Sequence, residues 1–505
     1  MGARTDKSRT PRVLSAAIAV ATVTGLALVT PGHALSGSPT PREITTTNSG
    51  TNQNSSIDSK GDLIAFTSNA PDAAASTFDF NNLGNGFTPP AASHPNPACV
   101  NCANPDASGQ LFLWRLKGSG GAPANSFKEI TFTSGGGLAA NEYPAINQKG
   151  TFVVWDSDRD ILTGQNADGN REIFLYDIKN STITQVTNTS GGADNANRNA
   201  SISDDGSKVA FDTNRDYTGV ANCTMADGVT GCSNPDQNSE VMIWDRVHNQ
   251  FTQITNTTGD GSSANARVQI SAEGLFLTFQ STRDYSGVNC TMIDGTTPCS
   301  NGDGNGEIMR YDVANKSFIQ VTATTGCGGS TANERPTISK KGAYIVWQST
   351  CESQLDTPQC GTCNNADEVF IYDVKGHKIV QLTTSSTGTN RVPHISETGS
   401  YIVFESNRNY KNLNPSHVHL LYILKRNTSL GKNGSTGPGQ LVEDAGLALT
   451  QNPKAVLQTI NFAGGFNTTV EQFGVSSAGK YISFDNGHGG GGRANQEIWF
   501  LDRTK

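Results

Sequence analysis

The sequence predicts an all-β fold, a seven-bladed β-propeller of four-stranded antiparallel blades, on three observations. One short element, apolar-Ser-x-x-Gly with looser copies, recurs seven times in the 505 residues. Gly (54 copies), Asn, Ser and Thr are abundant and charged residues make up only 16%, as in short strands joined by many turns. The last repeat lacks its fourth strand, and a matching strand stands near the N-terminus. A repeat architecture also explains how so long a chain packs without several separate cores.

The first 34 residues have the pattern of a secretory signal peptide. A basic start (Arg4 to Arg12) precedes an apolar run (Val13 to Val29), and small residues fit cleavage after Ala34. An uncleaved membrane anchor is the alternative, although the run is short for a span of about 20 residues. We therefore expect a secreted or periplasmic protein, with one propeller domain over residues 35–505 and no membrane insertion after cleavage.

The charge of the remaining chain restricts its partners. The whole chain carries −8, and the predicted signal holds four basic residues and one acidic residue, so the rest carries −11. Nucleic acids and anionic membranes attract basic surfaces, so this charge argues against both. We expect a monomer with a protein or glycan ligand.

The ten cysteines all follow the predicted signal, which fits an oxidising compartment. Two pairs, each nine residues apart, lie in near-copies of one segment. We predict the disulfides Cys223–Cys232, Cys290–Cys299, Cys99–Cys102, Cys360–Cys363 and Cys327–Cys351. A zinc site built from the two CxxC pairs is the alternative, but structural zinc ligands normally cluster locally and these pairs lie more than 250 residues apart.

Each blade follows one strand plan. An Asn stands five residues before the apolar-Ser-x-x-Gly turn in six of the seven copies, which places the blade starts near residues 52, 141, 197, 265, 333, 390 and 470. The turn leads to an apolar second strand, a third strand running from Glu to Asp, and a fourth strand ending apolar-Thr. The strand at 42–47 matches the fourth strand of blade one and is predicted to complete the last blade, which closes the ring. An open solenoid is the alternative.

The repeat resembles the TolB-type propeller repeat. The resemblance lies in the element after the second strand, Trp155-Asp-Ser-Asp-Arg-Asp160, with similar copies from Phe211 and Phe279, and in the Glu-to-Asp third strands. Blade six has Asn409 where Asp is usual, and blade five departs with Cys351. The resemblance to the TolB-type repeat implies a fold shared by periplasmic protein-binding modules, the propeller caps of prolyl oligopeptidase-like enzymes and some pectin-degrading lyases. The familiar TolB propeller has six blades and an extra domain, so its partners are not carried over.

One face of the propeller is predicted to bind the ligand. The segments after the second and fourth strands emerge there and carry all ten cysteines, whereas the other hairpins are predicted to be short throughout. This loop face comprises about residues 69–109, 156–171, 212–239, 280–306, 348–367 and 405–418, and the connections 132–142, 188–197, 256–265, 323–333 and 384–390. The candidate ligand-facing residues are Arg159, Arg215, Arg283, Arg408 and His394. The alternative for the arginines is a structural ion pair with neighbouring Asp between blades.

A pattern with oxygen-bearing side chains at every second residue is a candidate calcium site. The alternative is that Asn and Asp only cap their own turn. No other pattern indicates a cofactor, and calcium is not required by the fold. The candidates are Asn166, Asp168, Asn170 and Glu172; Asn234, Asp236, Asn238 and Glu240; and Asn301, Asp303, Asn305 and Glu307.

The sequence favours a non-enzymatic binding scaffold that engages a protein or glycan through disulfide-stapled loops of the loop face. The eight histidines form no motif, and neither a Gly-x-Ser-x-Gly elbow nor a phosphate-binding glycine loop is present, so no catalytic residue is proposed. The alternative is a carbohydrate-active enzyme, a lyase or glycosidase, with its site over the central channel. Two carboxylates converging on one pocket there would favour the enzyme.

Overall fold

The fold is described from a computed structural model, which covers most of the repeat region. It describes residues 42–45, 50–70, 99–100, 104, 106–117, 126–135, 140–191, 197–259, 264–325, 332–351, 366–385, 389–410, 414, 417, 419–426, 441–442, 457–460, 473–487 and 496–504. The predicted signal peptide, Cys102, Cys327, Cys360 and Cys363 lie outside these residues. Within them, no helix is both long and apolar enough to cross a membrane.

Seven sheets built mainly from antiparallel strands form the blades, and three of them have a fifth strand that pairs in parallel. The first strand among the described residues is β1 (Arg42–Glu43), and blade one holds β2 (Asn52–Ile57), β3 (Leu63–Ser68), β4 (Cys99–Val100), β5 (Gln110–Arg115) and β6 (Ser126–Glu129). Blade two holds β7 (Asn141–Ile146), β8 (Phe152–Ser157), β9 (Glu172–Asp177) and β10 (Thr182–Gln185). Blade three holds β11 (Asn197–Ile202), β12 (Lys208–Thr213), β13 (Cys223–Met225), β14 (Glu240–Asp245) and β15 (Gln250–Gln253).

The remaining blades follow the same plan. Blade four holds β16 (Asn265–Ile270), β17 (Phe276–Ser281), β18 (Cys290–Met292), β19 (Glu307–Asp312) and β20 (Ser317–Gln320). Blade five holds β21 (Asn333–Ile338), β22 (Tyr344–Ser349), β23 (Glu368–Asp373) and β24 (Lys378–Gln381), followed by the short β25 (Thr383–Thr384). Blade six holds β26 (Asn390–Ile395), β27 (Tyr401–Ser406), β28 (Leu420–Lys425) and β30 (Leu457–Ile460), with β29 (Leu441–Val442) between the last two. Blade seven holds β31 (Phe473–Val475), β32 (Tyr481–Gly487) and β33 (Gln496–Asp502).

The N-terminal strand completes the last blade, so the predicted seven-bladed propeller is confirmed. The sheet order of blade seven is β1-β33-β32-β31, with Arg42 opposite Phe500 and Glu43 opposite Trp499. The pairing continues at Ile44, whose N–H donates to the Ile498 carbonyl at 2.7 Å. This strand takes the place that the fourth strand occupies in the other blades, and it covers an edge that would otherwise lack a partner.

The disulfide-stapled loops run along the outer edges of blades three and four. The structure contains Cys223–Cys232 and Cys290–Cys299. Each stapled loop opens with a short strand, β13 or β18, that pairs in parallel with the outermost strand of its own blade. An outer edge is the part of a blade furthest from the axis, so the stapled loops lie away from the central channel, and their role in ligand binding stays a prediction.

Blade six corrects the expectation that the opposite hairpins are short throughout. Its third strand, β28, ends at Lys425, and its fourth, β30, begins only at Leu457. Within this insertion, β29 pairs in parallel with β25 at the end of blade five. The repeat pattern missed the insertion because blade six lacks the fourth-strand signature found in blades two to five.

In five of the seven blades, the glycine of the first hairpin packs against an aromatic ring of the preceding blade. Gly399, at φ +68°, lies so close to the ring of Tyr344 in the preceding blade that a Cβ would stand 2.6 Å from Cδ2. The guanidinium of Arg426 covers the same ring at 3.9 Å. Gly206, Gly342 and Gly479 meet Phe152, Phe276 and Tyr401 in the same way. The recurring glycine is therefore needed both for the turn and for blade packing.

Candidate functional site

The innermost strands carry a bulge where they enter the central channel. In six blades the third residue of the first strand has a positive φ although it is not glycine, a conformation that costs about 1–3 kcal/mol. These residues are Asn54, Tyr143, Asn199, Arg267, Arg335 and Val392. A bulge re-aims side chains and is over-represented beside functional sites. The bulge therefore changes the direction of the side chains at the start of each of these first strands. These strand starts lie at the loop-face end of the channel.

Side chains from the preceding blade hold this strained backbone. Asp212 Oδ1 accepts the Arg267 N–H at 3.2 Å, and Gln348 Oε1 accepts the Val392 N–H at 2.7 Å. Asp156 and Gln280 do the same for Asn199 and Arg335. Because each bond crosses from one blade to the next, the bulge geometry depends on the packing of neighbouring blades.

Ion pairs of blades two to five line part of the channel mouth on the loop face. Arg171 Nη1 contacts Glu142 Oε2 at 2.6 Å and Asp156 Oδ1 at 2.5 Å. Arg198 Nε contacts Asp212 Oδ2 at 2.8 Å. Between blades four and five, Arg267 Nη1 lies 3.7 Å from Glu334 Oε2. We call the channel-lining side chains of these ion pairs, together with the neighbouring Arg335, the mouth ring: Glu142, Arg171, Arg198, Arg267, Glu334 and Arg335.

The channel below the mouth ring is a cavity of about 630 Å³ lined by inner strands of all seven blades. A volume of this size falls within the range of small-ligand sites, about 300–1,000 Å³. Charged groups of both signs line it, together with amides and the apolar side chains of Ile146, Ile270 and Ile338. The exposed ring of Tyr143 stands at the mouth.

Burial changes the protonation of two groups near the channel. Burial raises the pKa of Asp156 to about 7, against the opposing charge of Arg171. Burial likewise lowers the pKa of His394 to about 4, so this imidazole is neutral near pH 7. His394 lines the cavity, in agreement with its predicted position on an innermost strand.

The four predicted ligand-facing arginines lie elsewhere. None of Arg159, Arg215, Arg283 and Arg408 lines the channel. Arg283 Nη2 donates to the Gly259 carbonyl at 3.1 Å. The guanidinium groups of Arg159 and Arg215 pack against Gly135 and Gly191 in the same way. These glycines belong to the connections that lead into each arginine's own blade, so the three side chains support those connections. Arg408 is buried, which corrects its assignment as ligand-facing.

The glutamates of the candidate calcium pattern serve another purpose. Both carboxylate oxygens of Glu172 accept hydrogen bonds, from Thr187 Oγ1, from Thr189 N and Oγ1 at 2.6 and 2.7 Å, and from Asn197 Nδ2 at 2.9 Å. Glu240 and Glu307 bind the equivalent groups of their blades. We call this the Glu–Thr–Asn lock. It ties the third strand to the end of the fourth and to the next blade, so the glutamates leave the calcium candidates.

The sequence did contain a signal for the mouth ring. Glu142, Arg198 and Glu334 directly follow the recurring Asn, and Arg267 and Arg335 stand one residue later. Charged residues at the start of an innermost strand are unexpected unless they face a channel. Their pairing depends on contacts between different blades, which the spacing along the chain does not show.

Comparison with known proteins supplies similar folds only. No family model matches the chain, and neither does any curated protein. Among solved structures, TolB from Acinetobacter baumannii is 18% identical with a TM-score of 0.36; the match covers 63% of this chain and 57% of that one. A putative TolB from Agrobacterium tumefaciens is 14% identical with a TM-score of 0.36 and covers 67% and 83%.

An oligogalacturonate lyase from Vibrio parahaemolyticus is 8% identical with a TM-score of 0.47, over 91% and 92% of the two chains. The chain spans just over half of the Acinetobacter protein. The propeller fold itself follows from the strand order and ring closure described above.

Proposed function

We propose that the protein is a secreted or periplasmic, non-enzymatic binding scaffold that takes a glycan at the loop-face mouth of its channel. The observation that supports this proposal is the mouth ring, in which guanidinium donors and carboxylate acceptors lie together at the mouth of a cavity of about 630 Å³. Sugar hydroxyls both donate and accept hydrogen bonds, so they match such a surface. The ring has four arginines and two glutamates, which also suits uronate carboxylates.

The arrangement also favours tight positioning of the ligand. Arg171 and Arg198 are already oriented by carboxylates, so little side-chain freedom is lost on binding. The exposed Tyr143 ring at the mouth offers an apolar face to a sugar ring. A folded protein partner would instead need a broad surface of about 800 Å² per side, most of it outside the channel.

Calorimetry with short neutral and uronate oligosaccharides tests the proposal. Arg267→Asn and Arg335→Asn are suitable variants because Asn already occupies this positive-φ position in blades one and three. We expect each variant to weaken binding at least about tenfold, as for loss of a charged hydrogen bond. Lys60→Asn, in an exposed turn on the opposite face, is the matched control and should bind normally. The proposal fails if no oligosaccharide binds, or if the control weakens binding as much as the mouth variants.

A carbohydrate-active enzyme is the second candidate, supported by one observation. Glu142 and Asp156 share Arg171, and Asp156 has a pKa near 7, as a general acid or base requires. Asp156 is fully buried, so it would act through Glu142 or after local opening. Product release from the same oligosaccharides, abolished by Asp156→Asn, would favour the enzyme. Binding without any product would favour the scaffold.

A further inference from the structure

Three loops on the loop face contain buried side-chain amide oxygens that accept no hydrogen bond. Each loop has the pattern Asn-x-Asp-x-Asn, and in each the Oδ1 atoms of both asparagines are buried and unsatisfied. The six side chains are at most 7% exposed: Asn166, Asn170, Asn234, Asn238, Asn301 and Asn305. Leaving a buried polar atom unsatisfied costs about 1–3 kcal/mol, and the same defect recurs in three blades. A shared function explains the recurrence better than three separate defects.

The orientation of these amides is determined by their surroundings. Asn166 Nδ2 donates to the Asn170 carbonyl at 2.9 Å, and Asn170 Nδ2 donates to the Thr189 carbonyl at 2.6 Å. Backbone carbonyls can only accept, so the nitrogen must point to them and the oxygen must point away. The other two loops have the same bonds at 2.5–2.9 Å. An amide flip therefore cannot remove the unsatisfied acceptors.

The ligand that matches this arrangement is a hard cation. Each loop adds one exposed carboxylate, Asp168, Asp236 or Asp303, between its two asparagines. Carboxylate and amide oxygens are Ca²⁺ ligands, and water completes a shell of six to eight oxygens. None of the three loops contains a His or Cys between its two asparagines, so the loops lack the nitrogen and sulfur donors preferred by zinc. With one charged ligand each, the sites should be weak, about 10⁻⁴–10⁻³ M, as in extracellular modules.

Blade one contains an internal comparison. Its loop has the same turn, with Asn104 Nδ2 donating to the Ser108 carbonyl at 2.8 Å and Asp106 Oδ2 accepting the Gly135 N–H at 2.8 Å. Ser108 replaces the second asparagine, and its hydroxyl lies 3.4 Å from Asn104 Oδ1. This loop therefore lacks the pair of unsatisfied amide oxygens, although its backbone contacts are the same.

We propose that the loops at 166–170, 234–238 and 301–305 each bind one Ca²⁺ through two asparagine oxygens and the intervening aspartate. Calcium titration of the full mature chain, after treatment with a chelator, tests this directly. We expect saturable Ca²⁺ binding, weaker binding of Mg²⁺, and a higher melting temperature with Ca²⁺. Asp168→Asn, Asp236→Asn and Asp303→Asn should each reduce the number of bound ions by one, whereas Asp106→Asn should not.

A second variant distinguishes loss of the ion site from loss of the fold. Asn305→Ser copies the blade-one loop and should remove one ion without unfolding the protein, as checked by circular dichroism. The alternative is that ordered water satisfies the six oxygens. In that case no ion binds up to about 10 mM, ten times the weakest affinity expected. Either that result or an ion count unchanged by all four loop variants overturns the proposal.

Discussion

Buried glutamates connect the blades of this protein, and their burial keeps the carboxyl groups protonated at a pH where exposed glutamates are ionised. Burial raises the pKa of Glu240, Glu307 and Glu368 to about 7, although Thr, Ser and Asn side chains donate hydrogen bonds to each carboxylate. In blade one the equivalent residue is Gln110, whose Oε1 accepts from Thr131 Oγ1 at 2.9 Å and from Thr133 N at 3.1 Å. The same Glu–Thr–Asn lock can thus be built with a neutral amide.

The raised pKa values predict a stability that falls as the pH rises from about 5 to 8. Between the unfolded pKa near 4.5 and the folded pKa of about 7, the unfolded glutamates are ionised while the folded ones keep their protons, and above about pH 7 the folded ones ionise as well. The folded state therefore binds more protons, and the free energy of unfolding decreases with pH, on the order of 2 kcal/mol per carboxyl. The triple variant Glu240→Gln, Glu307→Gln and Glu368→Gln should show a flatter profile in denaturant unfolding. An equally steep profile in that variant would contradict this assignment.

The recurring residues of the repeat were visible in the sequence, but their contacts between blades were not. The recurring Asn, Glu and Thr were visible as a pattern, and they form the Glu–Thr–Asn lock. The contacts of Glu172 were not predicted, because its hydrogen-bond partners come from the fourth strand and from the next blade. The mouth ring was missed for the same reason, since Arg267 meets Glu334 across a blade boundary. Spacing along one repeat does not record contacts between repeats.

At the scale of single elements, the stapled loops protect the outer edges of blades three and four. The Phe251 N–H of β15 donates to the Asn222 carbonyl of the loop at 2.8 Å, next to the paired strand β13. Blade two has no fifth strand among its described residues, and alternate residues of β10 are exposed, whereas Phe251 and Gln253 of β15 are buried. A covered edge cannot pair with a second molecule, so the loops reduce edge-to-edge association.

Opening one staple should therefore affect both stability and association. The double variant Cys223→Ser and Cys232→Ser removes a disulfide between residues nine positions apart. Its loss should lower the free energy of unfolding by about 2–3 kcal/mol. We expect faster hydrogen exchange of β15 and more dimer or aggregate in light scattering, while β10 exchanges as before. The equivalent change in blade four, Cys290→Ser with Cys299→Ser, should give the same result for β20. Unchanged exchange of β15 would show that the loop stays paired without its disulfide.

At the scale of the whole molecule, ring closure repeats the bonds found inside a blade. Thr45 Oγ1 donates to Glu497 Oε2 at 2.7 Å, and Asn52 Nδ2 donates to the same oxygen at 2.9 Å. These are the contacts of the Glu–Thr–Asn lock, formed here between residues more than 440 positions apart. The closure was predictable because the N-terminal strand carries the fourth-strand sequence. The insertion within blade six and the fifth strands were not, because they lie outside the repeat.

The joined ends should be the weakest point of the ring. Ile44 is fully buried beside Ile498 and Phe500, and Ile254 holds the same position in blade three, with equivalent backbone bonds at 2.7 and 2.8 Å. Substituting either isoleucine by Ala should cost about 2–5 kcal/mol. Only Ile44 lies on a strand whose covalent connection to its blade runs around the whole ring, so Ile44→Ala should allow that strand to open locally. We expect limited proteolysis to release the N-terminus of Ile44→Ala faster than that of Ile254→Ala at equal global stability, and equal rates would contradict closure by this strand.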